Sequence, residues 1–158
     1  MRWLHGWIVA AVALSPGIGT SALASEVTAS CERVSIGHSV SIEVQGVRSG
    51  KGTLVAVLYG DDPGKFLKKG ARIARERVPA RPGSVTVCLA APGPGTYAAA
   101  VYHDENDNRR FDRSWTGLPR EGFGVSNNPQ LFLRAPNHAE SAFEVRSGPN
   151  VVKIDLRY

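Results

Sequence analysis

The chain of 158 residues is predicted to be an all-β protein. Its apolar segments are short, several alternate apolar with polar residues, and Gly- and Pro-rich turns separate them. No rhythm of strands and long amphipathic helices indicates βαβ units. We therefore expect an antiparallel β-sandwich, immunoglobulin-like or transthyretin-like, with about seven strands at residues 40–47, 53–59, 84–89, 96–103, 131–133, 141–145 and 151–156.

The first two strands show different patterns. Residues 40–47 alternate apolar and polar side chains, which is typical of a half-buried strand. Residues 53–59 are almost wholly apolar, which indicates a more fully buried strand. The turn cluster at residues 48–52 joins them, so we expect the two strands to form a hairpin.

The later elements follow in the same way, with one ambiguous region. Phe66 to Ala74 fits either a short helix or an irregular crossover that leads into a strand near residues 71–78. Residues 84–89 and 96–103 are strands on each side of a Pro- and Gly-rich loop. A long polar region then precedes the last three predicted strands.

Residues 1–24 have the pattern of a cleaved signal peptide. Arg2 precedes an apolar run, and Ala22 and Ala24 supply the small residues that a signal peptidase reads. Pro16 interrupts the run well short of the roughly 20 apolar residues of a membrane span. We expect residues 25–158 to form one domain, periplasmic or secreted, with no transmembrane segment after cleavage.

The chain is basic, with a formal net charge of +5. Residues 1–24 hold one basic residue, Arg2, and no acidic one, so their removal leaves about +4. The densest basic run, residues 65–81, either attracts an anionic surface or is a solvated face. We expect no nucleic-acid partner.

The two cysteines, Cys31 and Cys88, are predicted to form a structural disulfide. The sequence has no Cys-x-x-Cys motif for redox catalysis, and no histidine stands beside either cysteine to suggest a metal site.

The segment from His103 to Asp112 carries the most chemical information. Oxygen-bearing side chains recur at alternate positions, which is how a short loop wraps a hard cation such as calcium. The alternative is a polar turn in which Asp and Asn side chains bind their own backbone. The candidate ligands are the side chains of Asp104, Asn106, Asn108 and Asp112 and the carbonyl of Arg110.

This ligand set is incomplete. Trp115 stands where a calcium loop usually ends in a bidentate carboxylate, which leaves Glu121 or Glu105 to fold back as a substitute. Asp104 and Asp112 supply only two formal negative charges, which favours weak, roughly millimolar affinity.

The chain resembles the domain of unknown function 2141 family, which is bacterial. The resemblance rests on residues 94–106, Phe111-Asp112, residues 117–124 and residues 126–128, and it extends to residues 52–59. It implies an exported β-sandwich and no established activity. Family members tend to have glycines where this chain has Asp107 and Arg109, and a side chain in a left-handed turn there costs roughly 1–2 kcal/mol.

Two classes of function are open. His103 beside Asp104, with Glu121 and Ser126 downstream, suggests a hydrolase, but neighbours on a strand point to opposite faces and no catalytic motif accompanies them. His103 is instead expected to pair with acids of the loop.

The other class is a binding module. Its candidate surface is aromatic and polar, but Trp115 and Phe123 are expected to close one end of the sandwich over its core. We expect a non-enzymatic binding or structural module of the cell envelope, with a protein or carbohydrate ligand; a hydrolase that uses His103 and Glu121 is the alternative. The surface comprises Tyr97, Tyr102, Trp115, Arg120, Phe123, Asn127 and Asn128.

Overall fold

The computed structural model describes Cys31, residues 38–130 and residues 134–158. Within them lie eight strands, a 3-10 turn at Pro63–Lys65 and one helical turn, α1, at His138–Ser141. The predicted signal peptide and the predicted strand at residues 131–133 lie outside the described residues. The strands are β1 His38–Val47, β2 Thr53–Tyr59, β3 Ala74–Pro79, β4 Gly83–Ala90, β5 Gly95–Asp104, β6 Gly122–Val125, β7 Ala142–Val145 and β8 Gly148–Asp155.

The strands form two sheets, which confirms the all-β fold class. One sheet has the order β4-β1-β8, and the other has the order β3-β2-β5-β6 with β7 also paired to β5. All pairs are antiparallel except β1 with β8, which is parallel. Alternate residues such as Ile42, Leu58 and Val101 point between the sheets and are fully buried in the main core.

The expected hairpin of the first two strands is wrong. β1 pairs with β4 and β8, whereas β2 lies in the other sheet between β3 and β5. Near Val47 the pairing of β1 with β4 is irregular, and Gly46 has a φ of +73°. The chain thus bends out of one sheet and enters the other, because apolar periodicity fixes the face of a strand and not its neighbour.

Two local outcomes complete the comparison. The ambiguous segment is a crossover leading into strand β3, so the strand alternative is confirmed. β6 was not predicted, because glycines make its sequence read as a loop. Those glycines are required: an added Cβ would lie 2.4 Å from the Tyr158 ring at Gly122 and 2.5 Å from the Asp155 carbonyl oxygen at Gly124.

The predicted disulfide between Cys31 and Cys88 is present, with its Cα atoms 5.3 Å apart. Cys88 lies in β4, so the bond attaches the chain ahead of β1 to the three-stranded sheet. No helix among the described residues is long and apolar enough to cross a membrane.

Candidate functional site

The polar loop begins where β5 ends. Along β5, Val101 and His103 face the main core, whereas Tyr102 and Asp104 face outward across the five-stranded sheet. Asp104 is paired with Thr53 of β2, beside the turn that ends at Gly52. This alternation places His103 and Asp104 on opposite faces, as the sequence predicted.

Asp104 is the anchor of the loop. Its side chain is fully buried, and its Oδ1 accepts a hydrogen bond from the Asn108 amide at 3.0 Å. Its Oδ2 accepts from the Arg109 amide at 2.9 Å and from the Arg77 guanidinium at 2.9 Å. Arg77 belongs to β3, so a cation of the protein itself neutralises the buried carboxylate.

Two asparagines continue the pattern inside the loop. The Oδ1 of Asn106 accepts from the Asn108 amide at 3.1 Å, and the Oδ1 of Asn108 accepts from the Arg110 amide at 2.8 Å. Both side-chain amides then donate to the same Asp112 Oδ2, at 2.9 and 2.8 Å. The two asparagine side-chain amides therefore converge on Asp112, while the two asparagine oxygens accept hydrogen bonds from the loop's own backbone.

The backbone of the loop turns left-handed twice, at Asp107 with φ +53° and at Arg109 with φ +65°. These are the two positions at which the family resemblance implies glycine. The Asp107 side chain compensates in part, because its Oδ1 accepts from the Thr53 hydroxyl at 2.9 Å. Arg109 is exposed and its side chain forms no hydrogen bond among the described residues, so its strain is not offset.

Arg109→Gly is expected to raise the free energy of unfolding by about 1 kcal/mol, because glycine adopts the left-handed backbone conformation without the steric strain that a side chain causes. Chemical denaturation measures this change. Alanine is the matched control, because it removes the same charge but keeps a Cβ at φ +65° and is expected to leave stability within about 0.5 kcal/mol. Equal effects of the two substitutions would contradict the strain.

Glu121 folds back to the loop, whereas Glu105 does not. The Oε2 of Glu121 accepts from the Asp112 amide at 3.2 Å, and its buried Oε1 has no hydrogen-bond donor among the described residues. Burial raises the pKa of Glu121, and the nearby carboxylates of Asp104, Asp112 and Glu105 raise it further, against the hydrogen bond from Asp112.

Glu105 points to the β1–β2 connection. It forms a bidentate ion pair with Arg48 and accepts a hydrogen bond from the Ser49 hydroxyl at 2.9 Å. The Arg48 hydrogen bond lowers the pKa of Glu105 to about 2. Glu105 thus attaches the start of the loop to residues nearly sixty positions earlier.

His103 is fully buried, and both ring nitrogens have partners. Nε2 lies 2.7 Å from the Lys51 carbonyl oxygen, which can only accept, so Nε2 carries the hydrogen. Nδ1 lies 2.7 Å from the Tyr158 hydroxyl, which donates to it and accepts from the Arg48 amide at 3.2 Å. The expected pairing of His103 with loop acids is therefore wrong.

Tyr158→Phe is expected to lower the free energy of unfolding by about 1–2 kcal/mol, because it leaves the buried Nδ1 of His103 without a hydrogen-bond donor. Urea denaturation measures the loss. Tyr59→Phe is the control, because the Tyr59 hydroxyl forms no hydrogen bond among the described residues, and its change is expected to stay within about 0.5 kcal/mol. A similar loss in both variants would exclude the histidine contact as the cause.

Ser126, Phe123 and Trp115, which the two functional hypotheses also invoke, do not come together in one site. Ser126 is fully buried, accepts from the Ala99 amide at 2.9 Å and donates to the Ser141 carbonyl, so it joins β5 to α1. Phe123 packs against the apolar cluster on the outer face of the five-stranded sheet. Trp115 is 94 % exposed, so the expectation that it covers the core is wrong.

The polar residues expected beside Phe123 also serve the fold. The Asn127 side chain donates to the Ala142 carbonyl at 2.7 Å, and the Asn128 Oδ1 accepts from the Asp155 amide at 2.8 Å. Tyr97 donates to the Gly93 carbonyl at 3.0 Å. These contacts assign them to turns and strand ends.

Across the described ranges, no group of three or more His, Cys, Asp or Glu side chains is placed to hold a metal ion. Any cation at the loop would therefore have at most two such side chains as ligands, together with asparagine and backbone oxygens. Of the acidic side chains at the loop, Asp104 is already held by Arg77, and Glu121 accepts from the backbone amide of Asp112. The Asp112 side chain accepts from the two asparagine side chains.

The fold and the loop define a β-sandwich with a buried-aspartate loop at one end of its five-stranded sheet. Residues 42–153 match the family described as an uncharacterized protein conserved in bacteria, DUF2141, and the chain belongs to that family. No curated protein and no solved structure gives a significant match to the chain.

Proposed function

We propose that the protein is an exported, non-enzymatic binding or structural module of the cell envelope. The observation that supports this best is the arrangement of His103 and Asp104, whose polar atoms are buried and fully hydrogen-bonded to the protein's own groups. Such residues hold a loop in one shape. They are not positioned to exchange protons with a substrate.

The hydrolase alternative requires His103, Glu121 and Ser126 to act together. In the described residues each has its own partners: Tyr158 and Lys51 for His103, the Asp112 amide for Glu121, and backbone groups of β5 and α1 for Ser126. This favours the binding module over the hydrolase.

We further propose that the loop binds calcium weakly, in the millimolar range. The side chains of Asn106 and Asn108 both contact Asp112, and Glu121 accepts from the Asp112 amide. The buried Oε1 of Glu121 has no donor among the described residues, so it is the candidate for the carboxylate oxygen that the sequence spacing lacks. The Arg110 carbonyl completes the candidate set. Weak affinity is expected because the asparagine oxygens must leave backbone amides and because Arg77 already neutralises Asp104.

Calcium titration followed by thermal melting tests this proposal. We expect the melting temperature to rise at millimolar calcium and the rise to disappear in Asp112→Asn and Glu121→Gln. Asp112→Asn is sharper than a substitution of Asp104, because Asp104 also holds the loop without metal. Asp62→Asn, which changes an exposed carboxylate of the 3-10 turn, is the control and should keep the rise. An unchanged melting temperature at millimolar calcium would contradict the proposal that the loop binds calcium.

A further inference from the structure

A second apolar surface lies on the outer face of the five-stranded sheet, away from the main core. Its exposed part is a platform of three half-buried rings, Tyr102, Phe111 and Phe123. The ring centroids of Tyr102 and Phe111 are 5.4 Å apart, and those of Phe111 and Phe123 are 5.3 Å apart. The groove above this platform has a volume of about 560 Å³, within the range of small-molecule sites.

Basic side chains surround the platform. Seven lysines and arginines line the groove, and no acidic residue lines it. None of the seven forms an ion pair with a carboxylate in the described part of the chain. They come from the crossover before β3, from β3 itself and from the polar loop: Lys68, Lys69, Arg72, Arg75, Arg109, Arg110 and Arg113.

Two contacts attach these cations to the rings. Arg113 lies over the Phe111 ring, 5.1 Å from its centroid, and Arg75 donates to the Tyr102 hydroxyl at 3.3 Å. Two adjoining cavities do contain carboxylates. Glu76 lies in one of them with Arg75, and Asp61 and Asp62 lie in the other, where Asp62 is paired with Lys65. Like charges held together in a concave surface attract anions and raise their local concentration.

We propose that this groove binds a compact organic polyanion, a ring compound that carries two or more phosphate, sulfate or carboxylate groups. The three rings are tilted by 57° and 42° to their neighbours, so one ring of the ligand packs against the face of one and the edges of the others. The cations from separate segments contact charges on different sides of that ligand. A flat bilayer cannot reach the floor of a concave groove. This site rests on the proposed binding function. It shares one residue with the calcium proposal, Arg110, whose side chain lines the groove while its backbone carbonyl is the candidate calcium ligand.

Fluorescence anisotropy of 8-hydroxypyrene-1,3,6-trisulfonate, a flat aromatic trianion, tests the proposal on the full chain. We expect saturable binding that weakens about tenfold or more in Arg72→Gln/Arg110→Gln. The matched control is Arg81→Gln/Arg146→Gln, which removes two exposed arginines outside the groove and should change the affinity by less than about twofold. Phe111→Leu keeps an apolar side chain but removes a ring, so it should weaken binding of the probe.

Competition with other anions separates the contribution of the ligand's charge from that of its aromatic ring. Inorganic sulfate, which has charge and no ring, should displace the probe only at much higher concentration, with the same potency in wild type and Phe111→Leu. Equal losses in the two double variants would overturn the proposal, because binding would then follow net charge alone. Displacement by a single-stranded oligonucleotide or dextran sulfate far below the probe's own dissociation constant would also overturn it, in favour of a polymer. Asp112 does not line the groove, so Asp112→Asn should leave probe binding intact. Failure of the calcium proposal is therefore distinguishable from failure of this one.

Discussion

Alanine in place of Asp104 is expected to lower the free energy of unfolding by about 3 kcal/mol. The substitution removes three hydrogen-bond acceptances at once and leaves the Asn108 and Arg109 amides and the Arg77 guanidinium without their carboxylate. Asp104 is fully buried, whereas 26 % of the Arg77 side chain is exposed, so water recovers part of the loss at the arginine. Urea denaturation at neutral pH measures the effect.

Three comparisons isolate the carboxylate. Asp104→Asn keeps one acceptor oxygen and should cost less than alanine. Asp107→Ala removes an exposed carboxylate with a single hydrogen bond, from Thr53, and should cost less than about 1 kcal/mol. A double-mutant cycle of Asp104→Asn with Arg77→Gln should give a coupling energy of about 1 kcal/mol or more. A change within about 0.5 kcal/mol for Asp104→Ala would contradict the anchoring role.

Loss of the disulfide is expected to have a comparable or larger effect. Alanine at both Cys31 and Cys88 should lower the free energy of unfolding by about 4 kcal/mol, because a bond across 57 positions restricts the unfolded chain. Denaturation with and without dithiothreitol measures this. The reductant should destabilise the wild type to the level of the double variant and leave that variant unchanged. A wild type insensitive to complete reduction would contradict the prediction.

The sequence predicted the strands well where side-chain periodicity reports burial. The pairing of strands was harder to predict from the sequence. The predicted hairpin of β1 with β2 was wrong because their connection leads from one sheet into the other. β6 was missed because Gly122 and Gly124 conceal a strand that lies against Tyr158 and Asp155. Both errors have one origin: contacts between distant parts of the chain determined the outcome.

The candidate site was also predictable only in part: its local pattern could be predicted, but its contacts with distant residues could not. The alternating Asp104, Asn106 and Asn108 predicted a folded loop. The family resemblance implied left-handed turns at Asp107 and Arg109, and both residues have a positive φ. The residues that hold the loop were not identifiable, because Arg77 and Tyr158 lie 27 and 54 positions from Asp104. Nothing in their local sequence marks them as partners. The basic run at residues 65–81 was visible, but its aromatic platform comes from β5, β6 and the loop.

We propose that the loop keeps its shape through Asp104 and Arg77 and that calcium adds to its stability only weakly. Amide hydrogen exchange in the presence of a calcium chelator tests it most directly. We predict that the Asn108 and Arg109 amides, both bonded to Asp104, exchange slowly without calcium and that Asp104→Asn weakens the protection of one or both. Fast exchange of both amides in the chelator, with protection appearing only on addition of calcium, would show that the metal organises the loop and would contradict the account.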